Sequence, residues 1–179
     1  MIAGITTAAT GVFSLLFSKS ILIAEPGKVS NNSIYELDLK LNSGEVISLS
    51  KFKGKKLMFV NVASRCGFTS QYKKLQQLYE QKKDVLEIIA IPCNDFGRQE
   101  PGSAEEIREF CDSNYKITFT IADKQNIKSK TRSELYSWLS DPALNGWNDR
   151  LPSWNFCKYL IDETGELTHF FKSNVDPVG

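Results

Sequence analysis

The chain has 179 residues, 41% of them hydrophobic and 24% charged, which is enough for one compact core and too little for two. With 22 lysines and arginines against 21 acidic residues, it carries no strong field that would favour nucleic acid or an anionic membrane surface. Its four cysteines contain no CxxC pair, which argues against a zinc site, a dithiol redox motif and a disulfide-rich mini-protein.

From Met1 to Ser18 no side chain is charged, and Ala8 to Phe17 is apolar enough for the h-region of a signal peptide, although no basic residue precedes it and Lys19 interrupts the run. Residues 1–24 are accordingly read as an export signal or anchor in preference to a cytosolic terminus. Residues 1–30 are set aside as leader and linker, leaving 31–179 as the domain. Ile34 to Leu41 alternates apolar and polar side chains, Asn42-Ser43-Gly44 supplies a turn, and Val46 to Leu49 resumes the extended pattern, so an N-terminal β-hairpin is expected. Leu57 to Val62 is an apolar run suited to a central strand buried on both faces. Tyr72, Leu75, Leu78 and Tyr79 recur at helical spacing, and Val85 to Ile91 is a second apolar run closed by Pro92. Together these make a βαβ unit with a parallel strand pair.

A turn-rich loop from Asn94 to Gly102 leads to Ser103-Ala-Glu-Glu106, a capping box that starts a helix at Ala104 with Ile107, Phe110 and Cys111 on one face. Ile117 to Ile121 reads as a short strand, and Leu135, Trp138 and Leu139 mark a helix. Phe156 to Ile161 and Leu167 to Phe171 flank a turn at Glu163-Thr164-Gly165, which gives a second hairpin. The order of elements fits an α+β fold, a three-layer α/β/α sandwich of the thioredoxin kind with a mixed central sheet and an N-terminal β-hairpin.

Cys66 lies just past the buried strand and ahead of a helix, where unpaired amides and the helix dipole favour a thiolate. A free thiol with a pKa of about 8.5 is only a few per cent ionised at neutral pH, so each unit of depression multiplies the nucleophile nearly tenfold. Thr69 occupies the position three residues on where a dithiol motif would place its second cysteine, so Cys66 has no local partner. Cys93 and Cys157, each beside apolar runs, read as packing residues. The basic clusters at Lys51, Lys53, Lys55 and Lys56 and at Lys128, Lys130 and Arg132 read as solvated faces.

The segment from Asn61 to Thr69, NVASRCGFT, closely resembles the catalytic segment of the glutathione peroxidase family in its cysteine form. The stretch from Ile91 to Ser103, IPCNDFGRQEPGS, is similar to the family's second signature, and Trp154-Asn155-Phe156 with Lys158 to Asp162 is similar to the third. The resemblance runs from about residue 33 to residue 174. It implies a catalytic tetrad of Cys66, Gln99, Trp154 and Asn155, needing neither cofactor nor metal. In that mechanism the Cys66 thiolate reduces hydrogen peroxide or an organic or lipid hydroperoxide to water or an alcohol, becomes a sulfenic acid, and is regenerated by thioredoxin or glutathione. Gln99, Trp154 and Asn155 are neutral donors that suit a sulfur anion without a histidine base.

Cys111 resembles the resolving cysteine of the thioredoxin-dependent members, one position earlier than the family places it, and its apolar face equally suits a core thiol. Asp95 stands where the family has glutamine. The stretch between Lys124 and Trp154 is too short for the assembly loop of the tetrameric, glutathione-using members, so the resemblance favours a monomer and thioredoxin as reductant. Family members continue into a terminal helix beyond the position of Gly179, so that helix is expected to be missing here.

Three other readings compete. A peroxide sensor would form the same sulfenic acid but pass the oxidation to a partner protein. A thioredoxin-like copper chaperone would want paired cysteines and a histidine ligand, and a cysteine hydrolase would need His169, the sole histidine, brought to Cys66.

Overall fold

A computed structural model describes residues 20–178, so the apolar stretch read as a signal or anchor lies, up to Lys19, outside the described residues. In chain order the strands are β1 (Ile21–Ile23), β2 (Asp38–Lys40), β3 (Val46–Ser48), β4 (Lys56–Val62), β5 (Leu86–Pro92), β6 (Thr120–Ile121), β7 (Lys158–Ile161) and β8 (Leu167–Phe171). The helices are α1 (Gln71–Lys82), α2 (Ala104–Tyr115), α3 (Glu134–Leu139) and α4 (Pro142–Asn145). A six-stranded sheet has the order β1-β8-β7-β4-β5-β6, and β2 and β3 form the separate hairpin. β4 pairs in parallel with β5 and antiparallel with β7, which makes the sheet mixed and puts β4 inside it.

The apolar runs of β4 and β5 feed two cores, one on each face of the sheet, because successive strand residues point to opposite sides. Leu57, Phe59, Ile89 and Ile91 face Leu135, Trp138 and Leu139 of α3 and the hairpin residues Leu39 and Ile47. Met58, Val60, Ile88 and Ala90 face Tyr72 and Leu75 of α1 and Ile107 and Cys111 of α2. α2 begins where the capping box predicts: Ser103 Oγ accepts the Glu106 N–H and Glu106 Oε2 accepts the Ser103 N–H. Among the described residues no helix is long and apolar enough to cross a membrane.

Three local expectations change. Ile34–Glu36 is a 3₁₀ turn rather than the start of a strand, because Ser33 Oγ accepts the Tyr35 N–H and both Ile34 and Tyr35 are buried. The strand expected from Ile117 shrinks to Thr120–Ile121, since the Thr118 N–H is taken by the Gln76 side chain of α1. Residues 21–23, set aside ahead of the domain, pair with β8 as the outer strand, and Ser30 donates to Glu166 through its N–H and its hydroxyl. This pairing satisfies the edge of β8, which the sequence pattern after Lys19 is too short to announce.

Gly146 caps α4 in the left-handed region at φ +89°, and a Cβ there would lie 2.3 Å from the Val29 carbonyl oxygen. Gly146→Ala is expected to destabilise the protein by roughly 1–3 kcal/mol, read as a lower urea midpoint with an unchanged m-value.

Candidate active site

β4 delivers the chain to a run of tight turns between Ala63 and Ser70. Thr69 locks them: its hydroxyl donates to the Ala63 carbonyl at 2.8 Å and accepts the Cys66 N–H at 3.0 Å, and its own N–H returns to the Cys66 carbonyl at 3.0 Å. Cys66 is almost wholly buried, and the Phe68 N–H points at its sulfur at 3.4 Å. α1 starts only at Gln71, so the amide that addresses the sulfur comes from the turn ahead of the helix rather than from its first residues.

The other candidates arrive on two segments. After β5 the chain turns through Gly97 at φ +67° and Arg98 at φ +54°, and the next residue, Gln99, accepts the Arg65 N–H on its carbonyl at 3.1 Å. Asn155 is fully buried and donates to Gln99 Oε1 at 3.0 Å and to the Phe96 carbonyl at 3.4 Å. Trp154 is 37% exposed, with its ring edge-on to Phe96 and its Cη2 atom 3.2 Å from where a Gly97 Cβ would stand. Gln99, Trp154 and Asn155 are therefore gathered into one cluster, and the Arg65–Gln99 bond ties that cluster to the loop of Cys66. Among the described residues no hydrogen bond joins the three to the Cys66 sulfur. The Asn155 amide spends its protons on Gln99 and Phe96, so its part is to orient Gln99.

Several residues matter here that the motifs alone did not single out. Asn61, the last but one residue of β4, donates from Nδ2 to the Trp154 carbonyl at 2.9 Å and accepts the Cys157 N–H on Oδ1 at 3.0 Å. Its carbonyl accepts the Phe156 N–H. Phe156 sits at φ +65°, a conformation that costs a bulky residue energy and persists where its surroundings over-determine it. Ser64 donates its hydroxyl to Glu100, the neighbour of Gln99, at 2.7 Å. A polar residue with no apolar periodicity gives no signal in the sequence, and these were legible only as letters within the motifs.

The Asp95 departure has a structural outlet, since its carboxylate accepts the N–H groups of Ile127 and Lys128 at 2.7 and 2.9 Å. Lys128 then sits over the Phe96 ring at 4.5 Å, and Arg132 Nε donates to the Ile127 carbonyl. The other basic cluster is spread over the surface: Lys53 lies over Tyr35, Lys55 donates to the Lys83 carbonyl, and Lys56 pairs with Glu163.

The remaining cysteines are sealed in the cores. Burial pushes the Cys93 thiol up to about 12 and the Cys111 thiol up to about 11, against which the Tyr72 hydroxyl acts on Cys111. Cys157 lies against the Ser173 hydroxyl. His169 stands on β8, stacked on Phe171 with its Nδ1 beside the Thr168 hydroxyl, and makes no hydrogen bond to Cys66. The hydrolase reading loses its base. Among the described residues no group of three or more His, Cys, Asp and Glu is placed to hold a metal ion.

The glutathione peroxidase family model matches residues 34–140. The chain belongs to the glutathione peroxidase family. It is 40% identical over 146 residues to the glutathione peroxidase homolog BsaA of Bacillus subtilis, covering 81% of this chain and 91% of that one. It is also 40% identical over 146 residues to the glutathione peroxidase-like peroxiredoxin 2 of Saccharomyces cerevisiae, covering 81% and 90%. The crystal structure of Trgpx in apo form superposes with a TM-score of 0.65 at 32% identity, over 83% of this chain and 90% of that one. The protein is thus a thiol peroxidase of the thioredoxin-like fold, an oxidoreductase acting on peroxide.

Within the third motif of this glutathione peroxidase family member, Lys158 is only 2% exposed and donates from Nζ to Gln71 Oε1 and the Val175 carbonyl. Burial depresses it from 10.5 to about 8. Between those values the unfolded chain binds more protons than the folded one, so this group makes stability rise with pH across that window. Lys158→Met is expected to flatten that part of the stability profile relative to the unsubstituted protein, measured by urea unfolding from pH 7.5 to 10.

Proposed function

We propose that Cys66 is the peroxidatic residue, that Gln99, Trp154 and Asn155 form its polar surround, and that Cys111 resolves the oxidised form for reduction by thioredoxin. The observation that carries this reading is the loop of Cys66, whose sulfur meets the Phe68 amide while the backbone next to it is bonded to Gln99. The thiolate attacks the distal oxygen of a hydroperoxide and releases water or an alcohol, leaving a Cys66 sulfenic acid. Cys111 attacks that sulfur, a disulfide forms, water leaves, and a thioredoxin dithiol restores both thiols.

Thioredoxin is favoured because the yeast relative is named a peroxiredoxin, and because Cys66 and Cys111 line the same core on one face of the sheet. Of α2, only Ile107 and Cys111 are fully buried, so a narrow stripe holds the helix and its local opening is the route by which Cys111 reaches Cys66. A monomer fits the short connection between Lys124 and Trp154, which α3 and α4 occupy. The burial of Cys111 supports a second reading, in which it is structural and glutathione is the reductant.

The test is NADPH consumption with hydrogen peroxide and cumene hydroperoxide, supplied in parallel with a thioredoxin system and with glutathione plus its reductase. Turnover with thioredoxin is expected, and turnover with glutathione alone transfers the proposal to the second reading. Silence with both, alongside stoichiometric oxidation of Cys66, would return the sensor. Cys66→Ser is expected to lower turnover at least about 10³-fold with the far-UV circular dichroism unchanged, and an active serine variant would sink the assignment. Cys111→Ser is expected to lose thioredoxin-coupled turnover while Cys66 still forms its sulfenic acid.

A further inference from the structure

α1 follows the Cys66 turn without a break. The Gln71 N–H donates to the Phe68 carbonyl at 2.9 Å and the Tyr72 N–H to the Thr69 carbonyl at 3.1 Å, while the Phe68 N–H points at the Cys66 sulfur. The position of Gln71 therefore sets how the turn is presented. Ser70 makes no side-chain capping bond at this end of the helix. The Gln71 side chain anchors it instead: Oε1 accepts Lys158 Nζ at 2.6 Å, and Nε2 donates to the Ser173 carbonyl at 2.6 Å. Lys158 Nζ also donates to the Val175 carbonyl at 2.7 Å. One residue thus joins the start of α1 to β7 and to the segment after β8.

Stability alone gives no reason for an ammonium in this place. Lys158 is buried, both its acceptors are neutral amide oxygens, and Asp176, the carboxylate that acts on it from the segment after β8, is bonded to Lys74. The other titratable group acting on it is its neighbour Cys157. Burial strips the ammonium of its hydration, and a cation beside the first turn of a helix opposes the helix dipole. An apolar side chain would fill the position at lower cost. What the ammonium supplies is a charged donor, which makes a shorter and stronger hydrogen bond than a neutral one and fixes its acceptor more closely.

We propose that Lys158 is a positioning residue for the peroxidatic turn, fixing Gln71 and through it the Phe68 amide that faces the Cys66 sulfur. The inference rests on Cys66 being the peroxidatic residue. Each link is a hydrogen bond: Lys158 Nζ to Gln71 Oε1, the Gln71 N–H to the Phe68 carbonyl, and the Phe68 N–H to the sulfur. Lys158 makes no hydrogen bond to the sulfur itself, so the turn carries its influence. An amide donor favours the thiolate over the thiol, and a turn that drifts from the sulfur therefore loses nucleophile where the thiol is only partly ionised. At a pH where the sulfur is fully ionised, the same drift changes little.

Reduced protein is mixed with one equivalent of hydrogen peroxide between pH 5 and 9, and Cys66 oxidation is followed by rapid quenching, alkylation and mass spectrometry. Lys158→Met is expected to oxidise about threefold to tenfold more slowly at pH 5 and within about twofold of the unsubstituted rate at pH 9, its profile displaced upward by about half to one pH unit. Gln71→Met, which keeps the charge and breaks the path, should do the same, and the double variant should do no more than either. Lys158→Arg, which keeps the charge and two donors, should restore the native profile. Lys74→Ala, which breaks only the exposed pair with Asp176, should leave it native. Arg65 in the loop and Glu100, buried beside Ser64 and across a cavity from α2, are unchanged in all of these variants. Should Lys158→Met fail to fold, Gln71→Asn, which keeps the amide but falls one methylene short of its partners, carries the same expectation.

A native profile in both single variants overturns the proposal, as does slowing by one factor at every pH, which would make these contacts packing only. A displaced profile in Lys158→Met with a native one in Gln71→Met would assign the effect to the charge and overturns the path. Absence of Cys66 oxidation in the unsubstituted protein overturns the reading of Cys66 and this inference with it, an outcome distinct from oxidation that proceeds without regard to Lys158.

Discussion

Asn61 commits every polar group it has to one short segment of chain. Its N–H donates to the Cys157 carbonyl, its carbonyl accepts the Phe156 N–H, and its side-chain amide takes the Cys157 N–H and holds the Trp154 carbonyl. The residue is fully buried, so each of these bonds left unmade would cost about 1–3 kcal/mol of desolvation with no water to replace it. The result is that the end of β4 and the segment 154–157 cannot move independently. Cys66 follows from one side of this junction, and Trp154 and Asn155 hang from the other.

The second signature joins the same junction from the side of β5. Two successive left-handed residues, Gly97 and Arg98, and a third at Phe156 are the backbone conditions for bringing Gln99 against Asn155. Such conformations are unfavourable in isolation and are kept where packing leaves no alternative. Here the Phe156 ring lies edge-on to Tyr72 in the core shared with α1 and α2, so the packing that stabilises the helical layer also holds the polar cluster in place. Stability and site geometry draw on the same contacts.

The four cysteines show how one side chain acquires different chemistry from its surroundings. Cys93 and Cys111 are held in the thiol form by desolvation, and Cys157 is packed against Ser173. Cys66 is nearly as buried as they are, yet it sits in a turn with an amide aimed at its sulfur and a polar cluster beside it. Neither the fraction of surface exposed nor a single amide separates it from the others, since the Asp95 N–H points at the Cys93 sulfur at the same 3.4 Å; what sets Cys66 apart is the backbone bond that ties its loop to Gln99.

Much of the fold was legible in the sequence, because β4, β5, α1 and α2 each carry a periodicity or a cap that acts over a few residues. The capping box at Ser103, the apolar run from Leu57 and the helical spacing from Tyr72 are local signals, and local physics decides them. The three motifs likewise marked Cys66, Gln99, Trp154 and Asn155 as residues to watch. The tertiary structure alone decided what those residues touch: that Asn155 orients Gln99, that Asn61 clamps the third motif, that β1 closes the edge of β8, and that Glu100 lies buried between Ser64 and α2. Each of these depends on polar groups distant in the chain meeting where water is excluded, and neither composition nor periodicity records which buried donor will find which acceptor.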